Sequence, residues 1–127
     1  MNKRVLSFPK NKIKVLLLEK IDSVAKNIFE KEGYHIETHK GSLKEDELIE
    51  KIKDISILGI RSKTIISKKV LDSANRLLSI GAYCIGTNQI DLEECKKKGI
   101  ITFNAPYSNT RSVVEIVIGQ IIILLTN

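Results

Sequence analysis

The chain has 127 residues, 43% of them hydrophobic and 28% charged, with a formal net charge of +6; that balance suits one soluble globular domain and excludes a disordered or fibrous chain. Aromatic residues make up 5% and Trp is absent, so the core must be built from Ile, Leu and Val. No basic run alternates with aromatic residues, which argues against nucleic acid, and no apolar run reaches the ~20 residues of a membrane span.

Residues 1–12 are polar and basic and contain Pro9, which reads as a loose arm. No apolar stretch follows Met1-Asn2-Lys3-Arg4, so no signal peptide is read. Residues 14–18 form a first apolar strand. Asp22 is placed to cap a helix ending before Gly33, with Ile21, Val24, Ala25, Ile28 and Phe29 on one face. Gly33 stands where a helix-terminating glycine belongs. Residues 34–38 read as a second strand. Ser42 with Glu45 has the spacing of a capping box and opens a helix to Lys51, with Leu43, Leu48, Ile49 and Ile52 on its buried side.

Residues 55–60 form a third strand, apolar nearly throughout, as expected where helices cover both faces of a sheet. Ser67 caps a short helix carrying Val70, Leu71 and Ala74 inward. Residues 77–80 are a fourth strand. Asp91 caps a helix that ends at Gly99 behind Lys96-Lys97-Lys98, cations that suit the helix dipole there. Residues 100–103 are a fifth strand. The most apolar stretch, 113–125, belongs to a last helix that starts near Asn109 and runs to the chain end. Strands alternating with helices predict an α/β fold, a doubly wound parallel five-stranded sheet in the flavodoxin-like order 2-1-3-4-5.

Ligands of such sheets bind beyond the carboxyl ends of the strands. Strand three is followed by Arg61-Ser62-Lys63-Thr64, which offers a planar guanidinium, a hydroxyl and an ammonium to an anion, or else forms surface salt bridges. Strand four leads into a loop from Gly81 to Gly86, whose glycines let peptide N–H groups cradle an anion or simply make a tight turn. Strand five leads into Asn104-Ala105-Pro106 and then Asn109-Thr110-Arg111-Ser112. Asn109 is either a helix cap or a group that orients a ligand carbonyl. Glu115 is either a buried carboxylate or a solvent-facing one.

His35 and His39 share a strand face but lack a third ligand, so no metal site is expected. Lys40 adds a cation at the end of strand two. Cys84 and Cys95 form no C-x-x-C and read as reduced, cytosolic thiols. The patterns G-x-G-x-x-G and G-x-x-x-x-G-K-[ST] are absent from the 127 residues.

Four segments carry a family likeness: Lys40-Gly41-Ser42-Leu43, residues 58–64, residues 80–92 and residues 103–115. In order and spacing they resemble the N-terminal part of the bacterial D-3-phosphoglycerate dehydrogenases, a branch of the D-2-hydroxyacid dehydrogenase family, over residues 12–125. The resemblance implies a substrate-binding domain over 13–107 and a helix over 108–127 crossing to an NAD-binding domain. It implies an NAD-dependent oxidation of 3-phospho-D-glycerate to 3-phosphohydroxypyruvate on the route to L-serine, 2-oxoglutarate being a second substrate of some members. By resemblance, Arg61 and Ser62 contact substrate and Lys63 adds charge near its phosphate, at a position where relatives often carry Arg. Gly81 and Ala82 hold the carboxylate, Asn109 lines the cleft, Ile85 touches the nicotinamide side, and Lys40 meets an anionic effector or the substrate of a neighbouring subunit.

The family's catalytic Arg, Glu and His match nothing in these residues. The isolated chain is therefore expected to be inactive, part of a cytoplasmic homo-oligomer, with a self-associating last helix. A signalling receiver of the same fold needs an Asp where Arg61 stands. A non-catalytic module that binds a small anion remains the alternative reading.

Overall fold

The computed structural model describes residues 12–21, 23–84 and 86–104. The apolar runs become the strands β1 (Lys14–Leu17), β2 (His35–Thr38), β3 (Ile57–Ile60), β4 (Ser79–Ala82) and β5 (Ile101–Asn104). All pair in parallel in the order β2-β1-β3-β4-β5, as the alternation of elements predicts. Position in the sheet decides burial. The inner strands β3 and β4 are buried at every residue, whereas the edge strands β2 and β5 have no fully buried residue. A central parallel strand is covered on both faces and must be apolar throughout.

Successive strand side chains point to opposite faces. Val15 and Leu17 accordingly pack with Ala25, Phe29 and Tyr34 beneath α1 (Ser23–Lys31), while Leu16 and Leu18 join the larger cluster on the other side. That larger cluster takes Leu48 from α2 (Glu45–Lys51), Val70 and Leu71 from α3 (Lys68–Asp72), and Cys95 from α4 (Leu92–Lys98). Phe29 and Tyr34 meet edge-to-face with ring centroids 5.7 Å apart.

Several boundaries differ from the sequence reading. The third strand begins at Ile57, because residues 52–54 form a 3-10 turn closed by the Ile55 N–H on the Ile52 carbonyl. The fourth strand runs two residues later than expected, since the ladder pairs Ile57 with Ser79 and Ile60 with Ala82. Gly81 and Ala82 are therefore the buried end of β4 and not the start of a loop. The capping box at Ser42 is not formed. Lys44 is the residue before α2, and its N–H donates to the Glu47 carboxylate at 3.3 Å, while Glu45 is taken up by the Ser67 hydroxyl at 2.7 Å.

Other local signals stand as read. Ser67 Oγ accepts the Val70 N–H, Asp91 Oδ1 accepts the Glu94 N–H at 3.0 Å, and Gly99 ends α4 in the left-handed conformation at φ 72°. The expected Asp22 cap, residues 1–11 of the arm read over 1–12, and the last helix lie outside the described residues.

Candidate functional site

Five parallel strands present their carboxyl ends on one edge, and the segments leaving that edge form the candidate site. Ile60 pairs with Ala82, and the Tyr83 N–H donates to the Ile60 carbonyl at 2.8 Å. Arg61 and Tyr83 thus leave neighbouring strands side by side. The guanidinium loop and the segment running to Gly86 share one edge of the sheet.

Arg61, Ser62 and Lys63 are exposed. Among the described residues, neither Arg61 nor Lys63 makes an ion pair. Among the described residues the surface salt bridge offered as the alternative for this triplet is not formed, and the loop presents two cations flanking a hydroxyl.

The residue that shapes this loop escaped the sequence reading. Glu19 follows β1 and is 7% exposed. Its Oε2 accepts the Arg61 N–H at 2.8 Å and the Thr64 N–H at 3.0 Å, and its Oε1 accepts the Lys63 N–H at 2.8 Å. Burial alone would raise its pKa, but the hydrogen bonds from Lys63, Thr64 and Arg61 outweigh that and hold the carboxyl below its ordinary value. Three of the four backbone donors of residues 61–64 are thereby turned inward, and the exposed side chains of Arg61, Ser62 and Lys63 are left to address an outside ligand. Glu19 and Lys20 both have positive φ, 63° and 56°. The one sequence signal was an acidic residue directly after the apolar run of residues 15–18.

A second side chain ties the loop from the other side. Gln89, also buried, donates from Nε2 to the Arg61 carbonyl at 2.8 Å and lies 3.3 Å from Cys84 Sγ. The Ile66 N–H donates to the Gln89 carbonyl at 2.8 Å. The segments after β3 and β4 are joined at side chain and backbone alike.

Lys40 sits at the far end of this edge, in an exposed turn after β2, with β1 between it and the Arg61 loop. Glu19 bridges the gap, its own N–H donating to the Gly41 carbonyl at 3.0 Å. Ile85 and Asn109 lie outside the described residues, as does Glu115. Gly81 and Ala82 are buried within β4, and the next peptide N–H, that of Tyr83, is already bonded to Ile60.

His35 and His39 are exposed, and no group of three metal-ligating side chains occurs among the described residues. Both cysteines are free. Cys95 is buried, and burial together with Asp91 and Glu94 pushes its thiol up to about 11. A receiver-type phosphoacceptor has no place here, because Arg61 directly follows β3 and the nearby Glu19 spends both oxygens on backbone donors. No described helix is long and apolar enough to cross a membrane.

With this geometry in hand, comparison with known proteins gives a consistent result. Residues 15–118 match the family model described as D-isomer specific 2-hydroxyacid dehydrogenase, catalytic domain. The D-3-phosphoglycerate dehydrogenase of Dictyostelium discoideum is 53% identical over 118 residues, covering 93% of this chain and 29% of that protein. The Escherichia coli K12 protein of the same name is 47% identical over 121 residues, 94% of this chain and 30% of its own. The likeness therefore extends beyond bacteria. Among solved structures, the NAD+-bound 3-phosphoglycerate dehydrogenase of Entamoeba histolytica superposes with a TM-score of 0.69 at 25% identity, covering 87% of this chain and 38% of that one. The chain spans about 30% of the length of the curated relatives it matches.

Proposed function

This chain belongs to the D-2-hydroxyacid dehydrogenase family, and from that premise we propose that it is the substrate-binding part of an NAD-dependent D-3-phosphoglycerate dehydrogenase. The reaction is the oxidation of 3-phospho-D-glycerate to 3-phosphohydroxypyruvate; some members of the family also reduce 2-oxoglutarate. Identity of about half to proteins of that name over more than nine-tenths of the chain supports the assignment.

The observation that carries it is the cationic loop after β3. Arg61 and Lys63 flank Ser62 at the carboxyl edge of the sheet, with no acidic partner among the described residues. A guanidinium binds a carboxylate or phosphate through two parallel N–H donors, while an ammonium contributes a point charge. 3-Phospho-D-glycerate carries an anionic group at each end, so one cationic loop beside a second segment on the same edge suits it. In this reading Arg61 and Ser62 bind substrate, Lys63 supplies positive charge, Lys40 meets an anionic effector or the substrate of a neighbouring subunit, Asn109 lines the cleft, and Ile85 meets the nicotinamide.

A dinucleotide cradle needs a glycine-rich turn opening a helix, and the pattern G-x-G-x-x-G that marks one is absent from these 127 residues. NAD supplies the hydride acceptor from outside the described site, and the role of these residues is to bind and orient the acid. Hydride transfer requires substrate and nicotinamide in near-attack geometry with a positioned proton-transfer group. These 127 residues alone, mixed with NAD and 3-phospho-D-glycerate, are expected to form no NADH. Assembly as a homo-oligomer, a role in L-serine biosynthesis and a cytoplasmic location belong to the same reading, the last supported by two free thiols.

Titration of the 15N-labelled chain with 3-phospho-D-glycerate tests the assignment. Amide shifts are expected at residues 61–63, with millimolar affinity that Arg61→Ala removes. No shift at this loop would sink the proposal, and micromolar binding would favour a free-standing anion sensor instead.

A further inference from the structure

Three backbone N–H groups and one carbonyl of the segment from Arg61 to Thr64 are held by two buried side chains from elsewhere in the sequence. Glu19 takes the N–H groups of Arg61, Lys63 and Thr64, and Gln89 donates to the Arg61 carbonyl. We propose that Glu19 and Gln89 are positioning residues, which set the conformation of the cationic loop and its distance from the segment after β4 so that a two-ended anion is met by an already formed site. This inference rests on the substrate reading above.

Several observations support it. Burying a carboxylate disfavours its charged form unless donors surround it, and here a surface loop supplies three. Glu19 and Lys20 are consecutive non-glycine residues in the left-handed region, a conformation that persists only where the surroundings impose it and that gathers at functional sites. Placing the Glu19 charge beneath the loop also offsets repulsion between Arg61 and Lys63, two residues apart and without anionic partners among the described residues. The loop therefore keeps its shape before any ligand arrives. Pre-ordering of this kind raises affinity by removing the cost of ordering at the moment of binding.

Gln89 acts on a different coordinate. It lies after β4, 28 residues from Arg61, and its amide fixes the Arg61 carbonyl from that side. Its backbone is anchored by Ile66, while Asp91 donates back to Ile66 at 2.9 Å. Gln89 thus adds a side-chain tie to the backbone bonds from Tyr83 to Ile60 and from Ile66 to Gln89 that hold the guanidinium loop against the segment after β4, and the gap they fix measures the length of the acid that fits.

The test uses the 127-residue chain and 3-phospho-D-glycerate itself. Glu19→Gln keeps the side-chain volume but turns an amide toward three N–H donors. Gln89→Met keeps length and burial but frees the Arg61 carbonyl. In Glu19→Gln, amide hydrogen exchange at Arg61, Lys63 and Thr64 is expected to rise by roughly tenfold or more beyond the rise at Leu58 and Ile80, whose exchange reports the global loss of stability, and affinity is expected to fall about tenfold. In the wild type, the same three amide protons should move together as Glu19 is protonated, a signature that a merely packed residue does not give. In Gln89→Met, affinity should fall with the loop amides still protected.

Wild-type affinity in both variants overturns the proposal. So does exchange that rises evenly across the sheet in Glu19→Gln, which would make Glu19 a general stability element. If Glu19→Gln does not fold, Gln89→Met decides alone, and unchanged affinity there is decisive against the idea. A wild-type chain that binds no phosphoglycerate sinks the substrate reading, whereas loop-confined exchange in Glu19→Gln would still establish the clamp.

Discussion

Gly59 stands opposite Leu17 in the β1–β3 ladder, and a Cβ added to it would lie 2.7 Å from Leu17 Cδ2, with Ile21 Cδ1 at 3.1 Å and Tyr83 Cε1 at 3.3 Å. Three apolar tips from three segments converge on the bare backbone two residues before Arg61. Leu17 is almost wholly buried, so it has little room to withdraw. Gly59→Ala is expected to destabilise the chain by about 1–3 kcal/mol, the usual cost of overpacking a well-filled core. Urea denaturation measures this, and a stability equal to wild type would show that the three tips rearrange freely.

Glu19 predicts a pH dependence. Its folded pKa lies below the ordinary 4.5, so its ionised form contributes stability above the unfolded pKa, and that contribution drains away as pH falls through the folded value. Glu19→Gln should be less stable than wild type by about 2–4 kcal/mol at pH 7, the scale for buried donors deprived of a charged acceptor. The two proteins should converge as pH drops below about 4. Asp54, held low first by its hydrogen bond to Lys14, adds acid sensitivity common to both. A gap that stays constant from pH 7 to pH 3 would contradict the assignment.

Lys20 is exposed and has φ 56°, a conformation in which a side chain costs energy that glycine avoids. Lys20→Gly is expected to stabilise the chain by about 0.5–1 kcal/mol, strain relief being partly offset by the greater freedom of glycine in the unfolded state. A lower melting temperature for the variant would refute the strain argument.

The two readings of helix capping separate cleanly by mutation. Asp91 accepts the Glu94 N–H at 3.0 Å, so Asp91→Ala should cost about 1 kcal/mol. Ser42 is exposed and caps nothing, so Ser42→Ala should stay within roughly 0.5 kcal/mol of wild type. Denaturation of both variants side by side checks the pair; equal losses would restore Ser42 as a cap.

Much of this protein is written in interactions between near neighbours. Apolar runs of four or five residues separated by helices of 3.6 period specify the five parallel strands and the doubly wound order, because each strand buried on two faces needs covering helices between it and the next. Ser67, Asp91 and Gly99 are legible for the same reason, since a cap is satisfied within three or four residues. Arg61, Ser62 and Lys63 could be marked from their place just after a buried strand. What the sequence could not reveal is how those residues are held. Glu19 meets its donors 42 to 45 residues away, and Gln89 meets Arg61 across 28. Those contacts exist only once β1, β3 and β4 have taken their register. The same register absorbed Gly81 and Ala82 into β4, and Glu45 turned to Ser67 rather than to Ser42. Local chemistry determined the strands, helices and their order, whereas the pairing of distant strand ends decided which buried carboxylate and which amide would shape the cationic loop.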